Sequence, residues 1–337
     1  MGAINVKHTG SGAAIALSSD GTSLLLDGTA IGGGGGDPDL YADNWNGTST
    51  KPTATGTNSV AIGNTNTSTG TGSVAIGHTS GSSGNGSIVL GQNAYSTGTN
   101  TIAIGNGANA GPNNSVAIGE ASATSTGYRQ TALGYNSRAY AQEAMALGMS
   151  RASGISSLAA QITNNGTTYG ASGANSIAMG QLAKATHTDS IRIGYAGSAA
   201  ANYSTSIGYN TTASGQWASC IGNYAGSATA EGSSVLGGRS GLATGIYSTT
   251  LGGQNLKAYG DYSVSMGYWT YATIIGQFAY ASGRFSGDGD AQTSKFVLRS
   301  DTTDATAEAL TTNNATAAAT NQVVLPNNSA YAFTGTI

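Results

Sequence analysis

The pentapeptide Ser59-Val60-Ala61-Ile62-Gly63 returns as Ser73-Val74-Ala75-Ile76-Gly77 and Ser115-Val116-Ala117-Ile118-Gly119, and fades to Thr273-Ile274-Ile275-Gly276. Its closing glycines set a period. They stand at Gly63, Gly77, Gly91, Gly105 and Gly119, then at Gly134, Gly148, Gly180, Gly194, Gly208, Gly222, Gly237, Gly252, Gly267 and Gly276, so most steps are 14 or 15 residues. The 32-residue step from Gly148 to Gly180 contains a degenerate copy, Gly154 to Gln161, in which Gln161 takes the glycine's place. That makes sixteen copies, with the nine-residue step to Gly276 reading as a truncated last turn.

The residue before each glycine is apolar and the third before it is mostly β-branched, so the alternation has period two and each copy is a short strand. Such a strand cannot bury its apolar face alone. Stacked copies cover one another's Val and Ile and pair their edges at about 4.8 Å per turn, which gives a parallel solenoid of roughly 75 Å. A second glycine often sits seven residues before the first, as at Gly56, Gly70, Gly84, Gly98, Gly127, Gly173, Gly215, Gly245 and Gly260. Two corners per turn that require positive φ would explain both sets. Disorder does not hold apolar residues in phase over such a length.

Composition narrows the function. Only 8% of the 337 residues are charged, 53 are glycine and the net charge is −3, which gives a nucleic-acid partner no electrostatic support. The single cysteine, Cys220, excludes a disulfide framework and takes the Ala position of a repeat, as a small buried apolar group would. Met1 to His8 lacks the apolar stretch of a secretory signal, so a chain not exported by its own sequence is expected. There is no run of eighteen apolar residues, so no helical membrane insertion is expected.

Four regions follow from the chain in order. Residues 1–31 form an N-terminal β module, with strands at Ile4 to Val6, Ala14 to Leu17 and Leu24 to Leu26 around Asp-Gly turns. Residues 32–55 are a Gly-rich linker and lead-in; Gly32 to Asp39 matches a calcium-binding β-roll nonapeptide once and imperfectly, and reads as linker. The repeats occupy 56–283. Residues 284–337 start a C-terminal β domain, expected to be incomplete, with strand signals at Lys295 to Arg299, Val323 to Leu325 and Tyr331 to Thr334.

Candidate contact residues are those that break or decorate the period. The insertion in the degenerate copy presents Asn164, Asn165, Thr167 and Tyr169, and an insertion in a repeat protein maps to a surface loop. Fourteen of the seventeen tyrosines lie between Tyr128 and Tyr280, recurring after the glycine (Tyr135, Tyr195, Tyr209, Tyr268) or five before it (Tyr203, Tyr247, Tyr262). Such columns serve as corner packing, as a subunit contact, or as an aromatic surface for sugar rings. Arg192 replaces the repeat's alanine, and would be a surface arginine or would face a symmetry axis beside an anion.

Catalytic chemistry is missing from the pattern. His8, His78 and His187 lie in unrelated settings, no nucleophile elbow or Walker lysine occurs, and acidic residues are too sparse in the array for a facing pair. No catalytic, metal-binding or cofactor-binding residue is assigned, and no cofactor is expected.

The Ser-Val-Ala-Ile-Gly repeats from about residue 56 to 276 resemble the left-handed parallel β-roll heads of trimeric autotransporter adhesins, the YadA-like head family. The resemblance implies an all-β homotrimer acting as an adhesive head. It places Val60, Ile62, Val74, Ile76, Ile102, Ile104, Val116 and Ile118 in the interior and Ser59, Ser73 and Ser115 at the turn before the strand, with Gly63, Gly77, Gly91, Gly105 and Gly119 as turn glycines. On that assignment Ala61, Ala75, Ala103 and Ala117 form a flat outer wall for a symmetric partner, Ile118→Asp charges the core, and Ser122→Asp, in a turn, does little. The chain shows no export signal, heptad stalk or anchor barrel. Its flanks instead resemble tail-fibre modules of marine tailed phages: SGAAIALSSDGTSLLLDGTAIGG at 11–33, and SGDGDAQTSKFVLRSDTTDATAEALTT at 286–312 with VVLPNNSAYAFTGTI at 323–337. The expected protein is a trimeric tail fibre on the virion, held to other tail proteins by its N-terminal module and contacting a host-surface glycan or protein. Its alternatives are a bacterial surface adhesin head and a glycan-binding solenoid.

Overall fold

The computed structural model describes residues 50–120, 122–124, 127–163, 166–325 and 330–335, and the backbone of four short strands before residue 31. Its contacts divide it into two units, 1–108 and 109–337. No helix occurs among the described residues, so none is long and apolar enough to cross a membrane.

In the first unit, Ile4–Val6, Ile15–Ser19, Leu24–Leu26 and Thr29–Ala30 form an antiparallel meander in which Leu17 is registered with Ile4 on one side and Leu26 on the other. The repeats follow. Each contributes a long strand to one parallel sheet and a strand of two or three residues to a second. Val60, Val74, Ile88 and Ile102 lie in one register row of the long-strand sheet. Thr53–Ala54, Thr67–Ser68, Gly81–Ser82 and Tyr95–Ser96 make up the short-strand sheet. The second unit repeats this plan with twelve long strands, from Val116–Ile118 to Phe278–Ala281, so that with four in the first unit the expected sixteen turns are present.

The interior is lined by alanine, which reverses the expected assignment of faces. Ala75, Ala103, Ala117, Ala132, Ala146 and Ala159 are fully buried, whereas Val60, Ile62, Val74, Ile76, Ile102, Ile104 and Val116 are only half-buried and Ile118 is 37% exposed. Turn dimensions explain this. Each long strand faces a short strand whose inward side chain is also small (Ser68, Ser82, Ala139, Ala152, Ala185), and the narrow gap between the sheets favours a methyl or hydroxyl, with Val89 and Val235 the largest apolar side chains it takes from the long strands.

Buried serines hold the corner before the long strand. Ser73, Ser157, Ser176 and Ser233 each donate an Oγ hydrogen bond to the carbonyl three residues back, at 2.6 to 2.8 Å, satisfying turn carbonyls that water cannot reach. Ser122, at the other corner after the long strand, is likewise fully buried and donates to the Gly119 carbonyl at 3.1 Å, so the expectation that a charge would be harmless there does not hold.

The two glycine sets have different causes. Gly63, Gly77, Gly91, Gly105 and Gly119 have φ between 106° and 147°. Gly70 and Gly245 lie outside the left-handed region; a Cβ on either would overlap the carbonyl of the glycine one turn on, Gly84 or Gly260. The left-handed corner before the strand is instead occupied by residues such as Asn58 and Asn100, at φ 58° and 54°.

The last turn is complete. Phe278–Ala281 pairs with Val264–Tyr268, placing Ala281 opposite Gly267, and Gly276 is a left-handed corner at φ 70° and not the end of a strand. The strand Gln292–Lys295 runs antiparallel along Phe278–Ala281 and covers the open edge of the parallel sheet. It starts before the expected position at Lys295 to Arg299, and Val323 to Leu325 and Tyr331 to Thr334 do not form strands.

Candidate functional site

Because alanine fills the interior, the large apolar residues of the long strands stand outward. In the second unit Met179, Ile193, Ile207, Ile221, Leu236 and Leu251 are register partners at successive turns, Ile207 half-buried and the others each between 37 and 39% exposed. A contiguous apolar stripe of this kind is a mark of an association surface. It is notched at the degenerate copy: Ala160 sits between Leu147 and Met179 in register, and Leu147, Gly148, Ala160, Gln161, Met179 and Gly180 line the gap.

At that copy Gln161 takes the glycine's left-handed conformation at φ 52°, and Ile162 turns inward to complete burial. Asn164 and Asn165 lie outside the described residues. Thr167 is exposed, but Tyr169 is half-buried against the alanine core, so it anchors the insertion and is not a free contact. The insertion enters the short-strand sheet at Gly170–Ala171. It therefore follows the long strand, whereas Tyr203, Tyr247 and Tyr262 precede one; the candidates do not form one site.

Two aromatic columns decorate the corners. After the long strand, Tyr195 stacks on Tyr209 at 4.9 Å and Tyr209 on Tyr224 at 4.8 Å, and the Arg239 guanidinium closes the stack 5.4 Å from the Tyr224 ring centre. Before it, Tyr203 stacks on Trp217 at 6.3 Å and Tyr247 on Tyr262 at 5.8 Å. Trp217 is missing from the sequence-based candidates, although it stands fourteen residues after Tyr203 at the same corner. All four residues of this second column have φ between 53° and 59°, a conformation that costs a bulky side chain about 1–2 kcal/mol and that Asn adopts more cheaply. Ring stacking of about 0.5–1.5 kcal/mol offsets part of that strain. The Glu231 carboxylate accepts a 2.8 Å hydrogen bond from the Tyr247 hydroxyl and raises that phenol above its ordinary pKa.

Arg192 is neither a surface arginine nor a residue facing outward to an axis. It is the largest fully buried side chain of the described residues. Its Nη1 donates to Thr211 Oγ1 at 2.9 Å and to the Ile193 and Ser206 carbonyls at 3.1 Å, and its Nη2 to the Tyr195 and Gly208 carbonyls at 2.8 and 3.0 Å. Burial without a carboxylate lowers its pKa to about 10, so it remains charged at neutral pH. The carbonyls it holds belong to the corner that presents Tyr195 and Tyr209. Two turns on, Cys220 fills the same inward position, and burial pushes its thiol up to about 11. Native protein at pH 8 is therefore expected to resist a thiol reagent that labels Cys220 fully in denaturant; rapid native labelling would contradict the inward placement.

Among the described residues no group of three His, Cys, Asp or Glu side chains could hold a metal ion. The YadA head domain repeat matches residues 54–80, 68–94, 82–108, 96–122, 125–150 and 171–195, so these segments are YadA-like head repeats. No curated protein matches the chain.

Proposed function

We propose that this chain is the head segment of a homotrimeric adhesive fibre, carried on the tail of a phage particle and contributing to host-cell attachment. The observation that carries the proposal is the outward column of Met, Ile and Leu, an apolar surface that a single chain would leave in water. Self-association replaces the expected alanine wall with this Val/Ile/Leu wall. The role is structural and adhesive and not enzymatic. The N-terminal meander attaches the fibre to other tail proteins, and the flank resemblances support the virion as its place. The head-repeat match favours a second reading, a surface adhesin head on a bacterial cell.

Sedimentation equilibrium of the full chain is expected to return the mass of three chains, and a concentration-independent single-chain mass would end the trimeric proposal. Gold-labelled antibody separates the two locations: label along particle tails supports the fibre, and label confined to cell envelopes supports the adhesin.

A further inference from the structure

The short-strand sheet carries a feature that the repeat does not require. In the second unit Arg138–Ala139, Arg151–Ala152, Gly170–Ala171 and Lys184–Ala185 follow one another, each with its alanine fully buried and its first residue on the opposite face, where Arg138, Arg151 and Lys184 are half-buried and Gly170 is buried. Three of those four outward positions are cations and the fourth is glycine. This face lies across the turn from the apolar wall, so trimer formation through the wall leaves it in solvent.

Arg138 and Arg151 are direct register partners, so their stems leave the sheet only about 4.8 Å apart. Like charges placed opposite each other destabilise a sheet. The arrangement is nevertheless held in place by Tyr140: Arg138 Nη1 donates to its hydroxyl at 3.3 Å, and the Arg151 guanidinium sits 4.2 Å from its ring centre. Elsewhere in this unit Arg129 is matched by Glu143, and Lys257 and Arg284 by Asp288, while Arg239, Lys295 and Arg299, which also lack an ion pair among the described residues, do not share a register row of cations. Among the described residues no carboxylate lies within ion-pair distance of Arg138, Arg151 or Lys184. The concentration is local, because the chain has only 12 Lys and Arg and a net charge of −3.

Gly170 shapes the row. A Cβ there would overlap the Arg151 carbonyl, and without one the sheet leaves a slot between Arg151 and Lys184. The inserted segment reaches the sheet at this slot, and Thr167 and Thr168, exposed, precede it in sequence. From Arg138 to Lys184 the row spans roughly 14 Å at the stacking interval of parallel strands. That is longer than one small anion can bridge, and it suits a polymer with regularly spaced negative groups.

We propose that Arg138, Arg151 and Lys184 form a binding row for an acidic polysaccharide, one bearing carboxylates on successive sugar units. The biological meaning rests on the adhesive reading above, while the chemistry does not. Full-length protein is titrated with polygalacturonate, with neutral dextran and duplex DNA as comparators. The wild-type chain is expected to bind polygalacturonate, to lose affinity as salt rises and to ignore dextran. Because exposed ion pairs are individually weak and act together along a polymer, R138Q/R151Q/K184Q is expected to bind roughly tenfold more weakly. The charge-matched variant R239Q/K295Q/R299Q is expected to bind as wild type does, and R138K/R151K to stay within about threefold, because both cations are kept. Equal losses in the two triple variants, no loss in the first, equal binding of dextran, or DNA competing as well as polygalacturonate would each overturn the row. Binding with these properties by a chain that sediments as a monomer and does not attach to cells would uphold the row and remove the adhesive fibre.

Discussion

Ala146→Asp is expected to remove the β-sheet circular-dichroism signal of the second unit at every protein concentration. Ala146 is fully buried, in register between Ala132 and Ala159, and the interior around it is methyl and hydroxyl groups. A carboxylate there meets no cation and no free donor, a defect that costs on the order of 3–5 kcal/mol. In a stacked array each turn is supported only by its neighbours, so the damage is not confined to one turn. Ala146→Ser is the matched control. Ser206 and Ser265 occupy the same inward position in other turns and are fully buried, so serine is expected to change stability by less than about 1 kcal/mol. Equal signals for wild type and Ala146→Asp would place the alanine face outside and return the interior to Val and Ile.

That reversal shows what the sequence could carry. Period, strand type and turn number were legible because Val60, Val74, Ile88 and Ile102 keep phase, and they do form one register row. Which face points inward was not legible, because both alternating faces are apolar and the larger side chain is ordinarily the buried one. The deciding signal was the other strand: a short segment with Ser68 or Ala139 inward keeps the sheets close and favours small inward side chains on the long strands. Thr273 to Gly276 imitated a repeat in residue type alone, and the left-handed corner at Gly276 followed by a strand at Phe278 was hidden by that likeness.

The candidate contact residues were less legible still. Arg192 was visible as an exception, but its fate depended on acceptors from Tyr195 to Thr211, which only the stacking of turns brings together. Tyr169 was read as a contact because it ends an insertion, and the alanine core claims it instead. The row of Arg138, Arg151 and Lys184 spans unequal intervals of sequence, and the insertion within the second interval hides its alignment.

Met179→Asp combined with Ile193→Asp is expected to convert three-chain assemblies to single chains while leaving the β signal in place. The two residues are adjacent register partners at 38 and 37% exposure, so each chain would present two carboxylates side by side on its apolar wall. In a single chain these groups reach water and cost little beyond mutual repulsion, which salt screens. In a symmetric trimer the same wall is desolvated three times over, so six charges would be buried without partners, at several kcal/mol per assembly. Sedimentation equilibrium reads the outcome directly, and circular dichroism on the same samples checks that the solenoid is intact. A three-chain mass for this variant would mean that association uses another face, and the corners bearing Tyr195, Tyr209, Tyr203 and Trp217 would be the next to substitute. A collapsed β signal at single-chain mass would mean instead that the turns depend on association for their own stability, as in an obligate oligomer.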